Sequence, residues 1–256
     1  MKTQYSNKKL TDKISQSTNG KHTPSRRDVW KMFDRIAHRY DLLNRLLSFG
    51  QDVVWRNKLA KHLKNKPDQQ ILDLATGTAD VLLSIYKKSN LINKGIGIDL
   101  AEKMLDIGTQ KIARHNLENK LTLEIGDASE IPYPDNSFDV VSIAFGIRNL
   151  TDTEKRLREM YRVLGSGGRA LILEFSLPEN RFFRSLYLFY FRKILPVFGS
   201  IISGDSYAYR YLNQTVETFP FGEDFLKLMK SAGFSDVKAT PLTFGIATIY
   251  QGDKLE

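Results

Sequence analysis

The sequence predicts an α/β fold: a seven-stranded, mostly parallel sheet with helices on both faces, preceded by N-terminal helices and carrying an inserted aromatic helical region. Two observations predict it, and a third bounds the chemistry. From Ile71 onward, short apolar runs alternate with helical periods, which calls for βαβ crossovers and strands buried on both faces. The 256 residues are 41% hydrophobic and 26% charged, enough apolar material to bury a core. There is no cysteine, so disulfides, thiolate metal sites and cysteine nucleophiles are excluded.

Residues 26–64 read as helical. Val29, Phe33, Ile36, Tyr40 and Leu43 recur at three- and four-residue spacing, Ser48-Phe49-Gly50 interrupts the pattern, and Pro67-Asp68 closes it. Strands are expected over 71–75, 95–99, 121–125, 138–145 and 170–175, with helices over about 80–88, 102–115 and up to 164. Thr151-Asp152-Thr153-Glu154 fits a capping box for the last helix, and Gly165-Ser166-Gly167-Gly168 ends it. Residues 178–220 break the rhythm with aromatic, basic helical sequence. A helix over 223–232 and strands over 235–239 and 244–250 close the chain. One domain over 28–256 is expected, with residues 28–64 and 178–220 as lid or substrate helices.

The net charge of +9 is concentrated. Residues 1–27 hold seven Lys and Arg against the single acid Asp12, leaving an ordinary surface elsewhere. This tail reads either as a solvated disordered arm or as one that touches anionic lipid or nucleic acid. The longest apolar run, 186–191, is far short of the ~20 residues that span a membrane. The N-terminus has no apolar stretch of a secretory leader, so a cytoplasmic protein is expected. His22, His38, His62 and His115 show no ligand spacing, so no metal enzyme is expected.

The first βα turn reads Asp73-Leu74-Ala75-Thr76-Gly77-Thr78-Ala79-Asp80. A glycine there lets a ligand approach the backbone. A dinucleotide would set its pyrophosphate on this turn, beside Asp73 and Asp80. Like charges at about 4 Å repel by roughly 4 kcal/mol at an effective dielectric of 20. The turn instead suits S-adenosylmethionine, whose amino-acid end carries an ammonium beside a sulfonium. Asp99 lies 22 residues after Gly77, where an acid accepts both ribose hydroxyls. Asp127, in Gly126-Asp127-Ala128 after the third strand, is placed to accept from an adenine amino group. The other reading of Asp99 and Asp127 is that they cap the helices that follow.

Residues 71–175 resemble a class I, Rossmann-like S-adenosylmethionine methyltransferase. Two stretches narrow the resemblance. Residues 40–50, Tyr40-Asp41-Leu42-Leu43-Asn44-Arg45-Leu46-Leu47-Ser48-Phe49-Gly50, with Trp55 after them, are similar to the first signature of the ubiquinone/menaquinone biosynthesis C-methyltransferases. Arg162-Val163-Leu164-Gly165-Ser166-Gly167-Gly168, leading to Leu173-Glu174-Phe175-Ser176, resembles the second. Phe145-Gly146-Ile147-Arg148-Asn149 and Tyr209-Arg210-Tyr211-Leu212 look like the same family. There are departures. Thr76 and Ala79 stand where the family often has glycine, Asp52 for a histidine, Gly165-Ser166 for Lys-Pro, and Ala144 for a serine among the cofactor contacts.

The resemblance implies methylation of a ring carbon of a demethylated prenyl-quinol. The expected cofactor set is Asp73, Ala75, Gly77, Thr78, Asp99, Asp127, Ala128 and Ala144. Arg148, in the loop after the fourth strand, would stabilise the developing quinol oxyanion, and Asn149 would orient the same oxygen. The alternative for Arg148 is a surface salt bridge. Tyr40 and Asp41 would close over the ring or take its proton; the alternative is ordinary helix packing. Tyr207, Tyr209 and Arg210 are weaker candidates, and His38 is a base by type alone. The helix over 181–194 is either a core or dimer-face element or a lid against lipid, with a transient membrane-surface contact. A homo-oligomer is open, and no nucleic-acid partner is expected, because Phe145-Gly146-Ile147-Arg148 replaces the Asn-Pro-Pro-aromatic motif of nucleic-acid methyltransferases. Another apolar substrate, RNA, or a non-catalytic cofactor-binding subunit are the competing functions, and the menaquinone or ubiquinone branch is undecided.

Overall fold

A computed structural model of the protein describes residues 29–197 and 206–255. The basic segment 1–27 lies outside the described residues. The N-terminal helical stretch divides into α1 (Val29–Leu47) and α2 (Gln51–Leu59), parted where Phe49 and Gly50 take left-handed backbone angles. There follow β1 (Gln69–Leu74), α3 (Asp80–Lys88), β2 (Ile92–Asp99), α4 (Glu102–Arg114), β3 (Leu121–Ile125), β4 (Phe138–Ala144), α5 (Thr153–Val163) and β5 (Leu164–Phe175). The chain then forms α6 (Arg181–Phe189), prolonged by a π-helical segment over Tyr190–Ile194, and α7 (Ser206–Thr218). It closes with α8 (Glu223–Ser231), β6 (Ser235–Leu242) and β7 (Ala247–Asp253).

The sheet has the order β3-β2-β1-β4-β5-β7-β6. Pairing is parallel from β3 to β5, and β7 runs antiparallel to both β5 and β6. Alternation along the central strands fills both faces. Leu72, Leu74, Val141, Ile143, Ala170 and Ile172 enter one core, closed by Met160 of α5 and Phe225 and Met229 of α8. Ile71, Val140, Leu171 and Leu173 enter the other, closed by Leu82 and Ile85 of α3, Ile112 of α4, and Trp55 and Leu59 of α2. A third cluster joins α1 to the inserted region: Val29, Met32 and Leu43 pack with Tyr187, Phe191, Leu195, Tyr211 and Val216. It reaches the sheet through Phe175 and Ile246. Among the described residues, no helix is long and apolar enough to cross a membrane.

Several element ends differ from the expectation. β2 begins at Ile92, three residues early. β5 begins at Leu164, so the glycine run expected as a loop is strand with an irregular register: Leu164 pairs with Phe138, and Arg169 with Val140. Glycine is required there, because a Cβ on Gly168 would sit 2.8 Å from the Gly165 carbonyl oxygen. The cap of α5 is Asp152, which accepts from the Lys155 N–H at 3.1 Å, one residue later than the expected Thr151. The last strand starts at Ala247, because Thr243–Gly245 form a single tight turn with Phe244 at φ 57°.

One glycine links sheet and turn. A Cβ on Gly97 in β2 would lie 2.7–2.8 Å from the side chains of Leu123 and Thr76. Gly97→Ala should therefore destabilise the fold by about 1–3 kcal/mol and displace Thr76. Urea unfolding measures this; an unchanged midpoint would show that the turn above β2 yields freely.

Candidate active site

β1 and β4 are neighbours, yet the chain leaves them toward opposite sides of the sheet, and ligands of such sheets bind where this reversal opens a crevice. The two exits touch. Ala75 and Phe145 both take left-handed backbone angles, and a Cβ on Gly146 would stand 2.9 Å from the Cβ of Ala75. Two cavities flank this contact. One, of about 780 Å³, is lined by Asp99, Leu100, Met104, Asp127 and Ala128. The other, of about 470 Å³, is lined by Trp55, Phe175, Tyr187, Tyr190 and Phe191. Ala75, Gly77, Ala144 and Phe145 border both, and so do Phe33 and Tyr40 of α1.

The first cavity is the polar one. Asp99 ends β2 and holds the glycine turn in place: Oδ2 accepts from the Gly77 N–H at 2.8 Å, and Oδ1 from the Ala101 N–H at 2.9 Å. It does not cap α4, whose N-terminus has no side-chain cap. A carboxylate has about four acceptor positions, so Asp99 keeps capacity for a ligand. Asp73 is buried behind the turn on the side of the aromatic cavity, and accepts from the Thr76 hydroxyl at 2.7 Å and the Ser142 hydroxyl at 2.6 Å. Burial pushes the Asp99 carboxyl above its usual range and raises that of Asp73 to about 6. Among the described residues, no Lys or Arg forms an ion pair with either. Gly77 has φ 56° and open space where its Cβ would be, so its backbone is accessible. Asp127 accepts from the Ser129 N–H at 2.7 Å in a local turn and stays at the cavity wall beside buried Ala128. Two carboxylates without a protein cation, an open glycine and small neighbours fit the cationic methyl donor deduced from the sequence.

Two expectations about the turn are corrected. Burial pushes the Asp80 carboxyl up, but Arg56 and Lys111 outweigh it and hold it below the usual range. Asp80 therefore contributes little of the repulsion expected against a phosphate. Asp41 does not face a substrate ring. Its carboxylate pairs with Lys111 at 2.5 Å and accepts from the Thr78 hydroxyl at 2.7 Å, and it borders neither cavity. Lys111 also donates to Thr78 Oγ1 at 2.9 Å, so the Thr78 hydroxyl is committed inside the protein. Lys111 escaped sequence reasoning because nothing local marks a lysine on the last turns of a helix.

The second cavity is aromatic. Trp55, Phe145 and Phe175 form its floor, with ring centroids 4.6–6.2 Å apart. Arg148 stands in its wall, only 5% exposed, so it is no surface ion pair. Its Nη1 donates to Glu174 Oε1 at 2.7 Å and to the Phe145 carbonyl at 2.5 Å, and its guanidinium lies 5.3 Å from the Phe175 ring centre. Glu174 Oε1 also accepts from the Phe175 N–H at 2.8 Å. The Arg148 Nε is buried with no hydrogen-bond partner in the structure. Burial pushes the Glu174 carboxyl up, and Arg148 opposes this only in part. Glu174 lies in the second signature, a lone acid in an otherwise apolar strand, and local sequence alone assigns it no role.

Asn149 borders the polar cavity, its Oδ1 accepting from the Tyr211 hydroxyl at 3.2 Å. Tyr40 packs edge-on to Phe33 at 5.8 Å, and burial raises its phenol above the ordinary value. Burial thus keeps the Tyr40 phenol protonated, and its ring borders both cavities. His38 is exposed and borders neither cavity, which removes it as a base. The side chains of Tyr207, Tyr209 and Arg210 lie outside the described residues.

The sequence profile of the ubiE/COQ5 methyltransferase family matches residues 20–254. A ubiquinone/menaquinone biosynthesis C-methyltransferase of Geotalea daltonii is 46% identical over 226 residues, spanning 88% of this chain and 96% of that protein. A demethylmenaquinone methyltransferase of Thermus thermophilus is 47% identical over 223 residues, spanning 87% of this chain and 100% of that protein. Among solved structures, an S-adenosylmethionine-dependent methyltransferase from Thermotoga maritima matches with TM-score 0.61 at 20% identity over 88% of this chain and 99% of its own. The [4+2]-cyclase SpnF matches with TM-score 0.66 at 17% identity over 93% of this chain and 99% of its own. At such identities the structural likeness establishes the fold alone.

Asp99→Ala should weaken S-adenosylhomocysteine binding at least about tenfold, the loss of one charged hydrogen bond; calorimetry showing unchanged affinity would refute its place in the cofactor site. Asp73 carries a pH signature. Its folded value of about 6 exceeds the ordinary 3.8, so the folded state holds the proton more tightly than the unfolded chain. That stabilisation is full below pH 4 and is lost as pH rises through 6. Asp73→Asn should therefore gain stability over the parent as pH rises from 4 to 7, by up to about 3 kcal/mol. Urea titrations at the two pH values check it, and a constant difference would contradict the buried, cation-free environment.

Proposed function

Since the chain belongs to the ubiE/COQ5 methyltransferase family, we propose that it transfers the methyl group of S-adenosylmethionine to a ring carbon of a demethylated prenyl-quinol, of the demethylmenaquinol or ubiquinone-precursor type. One observation carries this reading. A carboxylate-lined cavity and an aromatic cavity meet along a seam of Ala75, Gly77, Ala144 and Phe145. A charged cofactor and an apolar ring seated in the two cavities are brought together there, under the Phe33 and Tyr40 side chains of α1 that border both.

When bound, S-adenosylmethionine supplies a methyl group already activated by its cationic sulfur, so the transfer needs no metal. The protein supplies the rest. Asp99 and Asp73 make the rim attractive to positive charge, and the open Gly77 lets the ligand lie against backbone. Trp55, Phe145 and Phe175 stack on the ring, hold its carbon in line and exclude water. Attack by a ring carbon requires electron density from the quinol oxygen. Arg148, a cation of the aromatic wall with an unused Nε–H, stabilises that oxygen as it becomes an oxyanion. Glu174 acts through Arg148 as a positioning residue, fixing the guanidinium from behind. The small Ala144, where the family often has serine, leaves the seam free of a side-chain hydroxyl.

Incubated with labelled donor and demethylmenaquinol, the purified protein should give labelled menaquinol; normal cofactor binding without transfer to any demethylquinol would favour a non-catalytic binding subunit. Arg148→Ala should lower kcat about 10²-fold, the scale of one lost oxyanion donor, with cofactor affinity within twofold of the parent. Equal losses in both would count against the oxyanion role.

A further inference from the structure

Large aromatic side chains stand in solvent around the mouth of the aromatic cavity. They come from three segments distant in sequence that touch one another. On α6 the outer face carries Phe182, Leu186 and Phe189. Phe183 of the same helix stacks on Phe244 of the β6–β7 turn at 4.7 Å. Phe49, between α1 and α2, meets Tyr190 at 5.8 Å. Phe49, Phe183, Leu186 and Phe244 also line the cavity itself, so the apolar interior continues outward as an apolar rim.

Two of these placements run against local preference. Phe49 and Phe244 sit at the tips of tight turns with φ 52° and 57°, a region bulky residues avoid, and are 79% and 71% exposed. The backbone is thus held in an unfavourable state with an aromatic ring pointed at water. Charge supplies a third observation. Residues 180–197 contain Arg181, Arg184, Arg192 and Lys193 and no acid; Arg192 pairs with Glu217 of α7 at 2.5 Å, and Lys193 is exposed.

We infer that this rim is a docking surface for an anionic lipid bilayer, into whose interface the rings insert so that the cavity opens directly onto the acyl region. The inference rests on the quinol reading above for the occupant of the cavity. A substrate with a polyprenyl tail gains with every methylene kept out of water and hardly leaves the bilayer. A protein partner, or a second copy of this chain, seated on the rim would seal the mouth it surrounds; a bilayer leaves it open to the tail. Apolar insertion flanked by basic residues is the pattern of interfacial helices.

The test uses Phe182→Glu/Phe189→Glu, whose parent side chains are 72% and 59% exposed and line neither cavity, and separately Lys193→Glu. The full chain should float with vesicles of equal parts phosphatidylglycerol and phosphatidylcholine. The double variant should float at least about tenfold less, and Lys193→Glu should lose binding to the anionic vesicles while matching the parent on pure phosphatidylcholine. The double variant's turnover should fall on long-tailed quinol embedded in vesicles and stay equal to the parent's on a short-tailed, water-soluble demethylquinol. Flotation of the double variant equal to that of the parent overturns the proposal. So does a parent that ignores vesicles and sediments as a dimer which the double variant splits, because the rim is then a self-interface. If no demethylquinol is methylated but flotation and its loss are as stated, docking stands and the quinol reading falls.

Discussion

Asp73 and Asp99 are carboxylates drawn out of water at the ends of adjacent strands, held only by hydroxyl and backbone N–H donors. Burying such charges is costly, and a protein cation is the usual remedy. Asp80, a few residues away, has that remedy twice over in Arg56 and Lys111. The contrast divides the turn into a neutralised side, which fastens α1, α2 and α4 together, and an unneutralised side, where Asp73 borders the aromatic cavity and Asp99 the polar one. A pyrophosphate placed on the latter would add repulsion to an existing desolvation cost. A sulfonium with an ammonium beside it would relieve both.

The sheet topology turns that preference into chemistry. Because β1 and β4 part at the switch point, their exits meet at one contact, Gly146 against Ala75, and Ala75 borders both the polar and the aromatic cavity. The N-terminal helix α1 spans the gap, lending Phe33 and Tyr40 to both walls. Its position is fixed by Asp41 on Lys111 and by Asp34, which accepts from the Lys103 N–H at 2.8 Å. Motif residues thus serve two ends: Tyr40 forms wall, while Asp41 beside it ties the wall to the sheet's helices.

The parts legible in the sequence are those governed by local pattern. Apolar runs marked β1 and β4 because strands buried on both faces need continuous apolar sequence, whereas β3, the exposed edge strand, alternates apolar and polar residues. What escaped depends on distant partners. The glycines at 165–168 look like a loop, but pairing with β4 makes them strand; Phe244 looks like strand, but the turn before β7 claims it. The Glu174 contact to Arg148 crosses 26 residues, and Lys111 reaches Asp80 across 31. Neither spacing carries a periodic signal. Buried polar residues inside apolar strands, Ser142 and Glu174, were the available clue, since such groups stay buried only when paired.

The most direct test is a crystal structure with S-adenosylhomocysteine. Its ribose hydroxyls should lie on the Asp99 carboxylate, and its sulfur should lie at the seam of Ala75, Gly77 and Ala144, facing the aromatic cavity. An adenosyl group seated among Trp55, Phe145 and Phe175, or a carboxylate rim left empty at saturating ligand, would contradict the account.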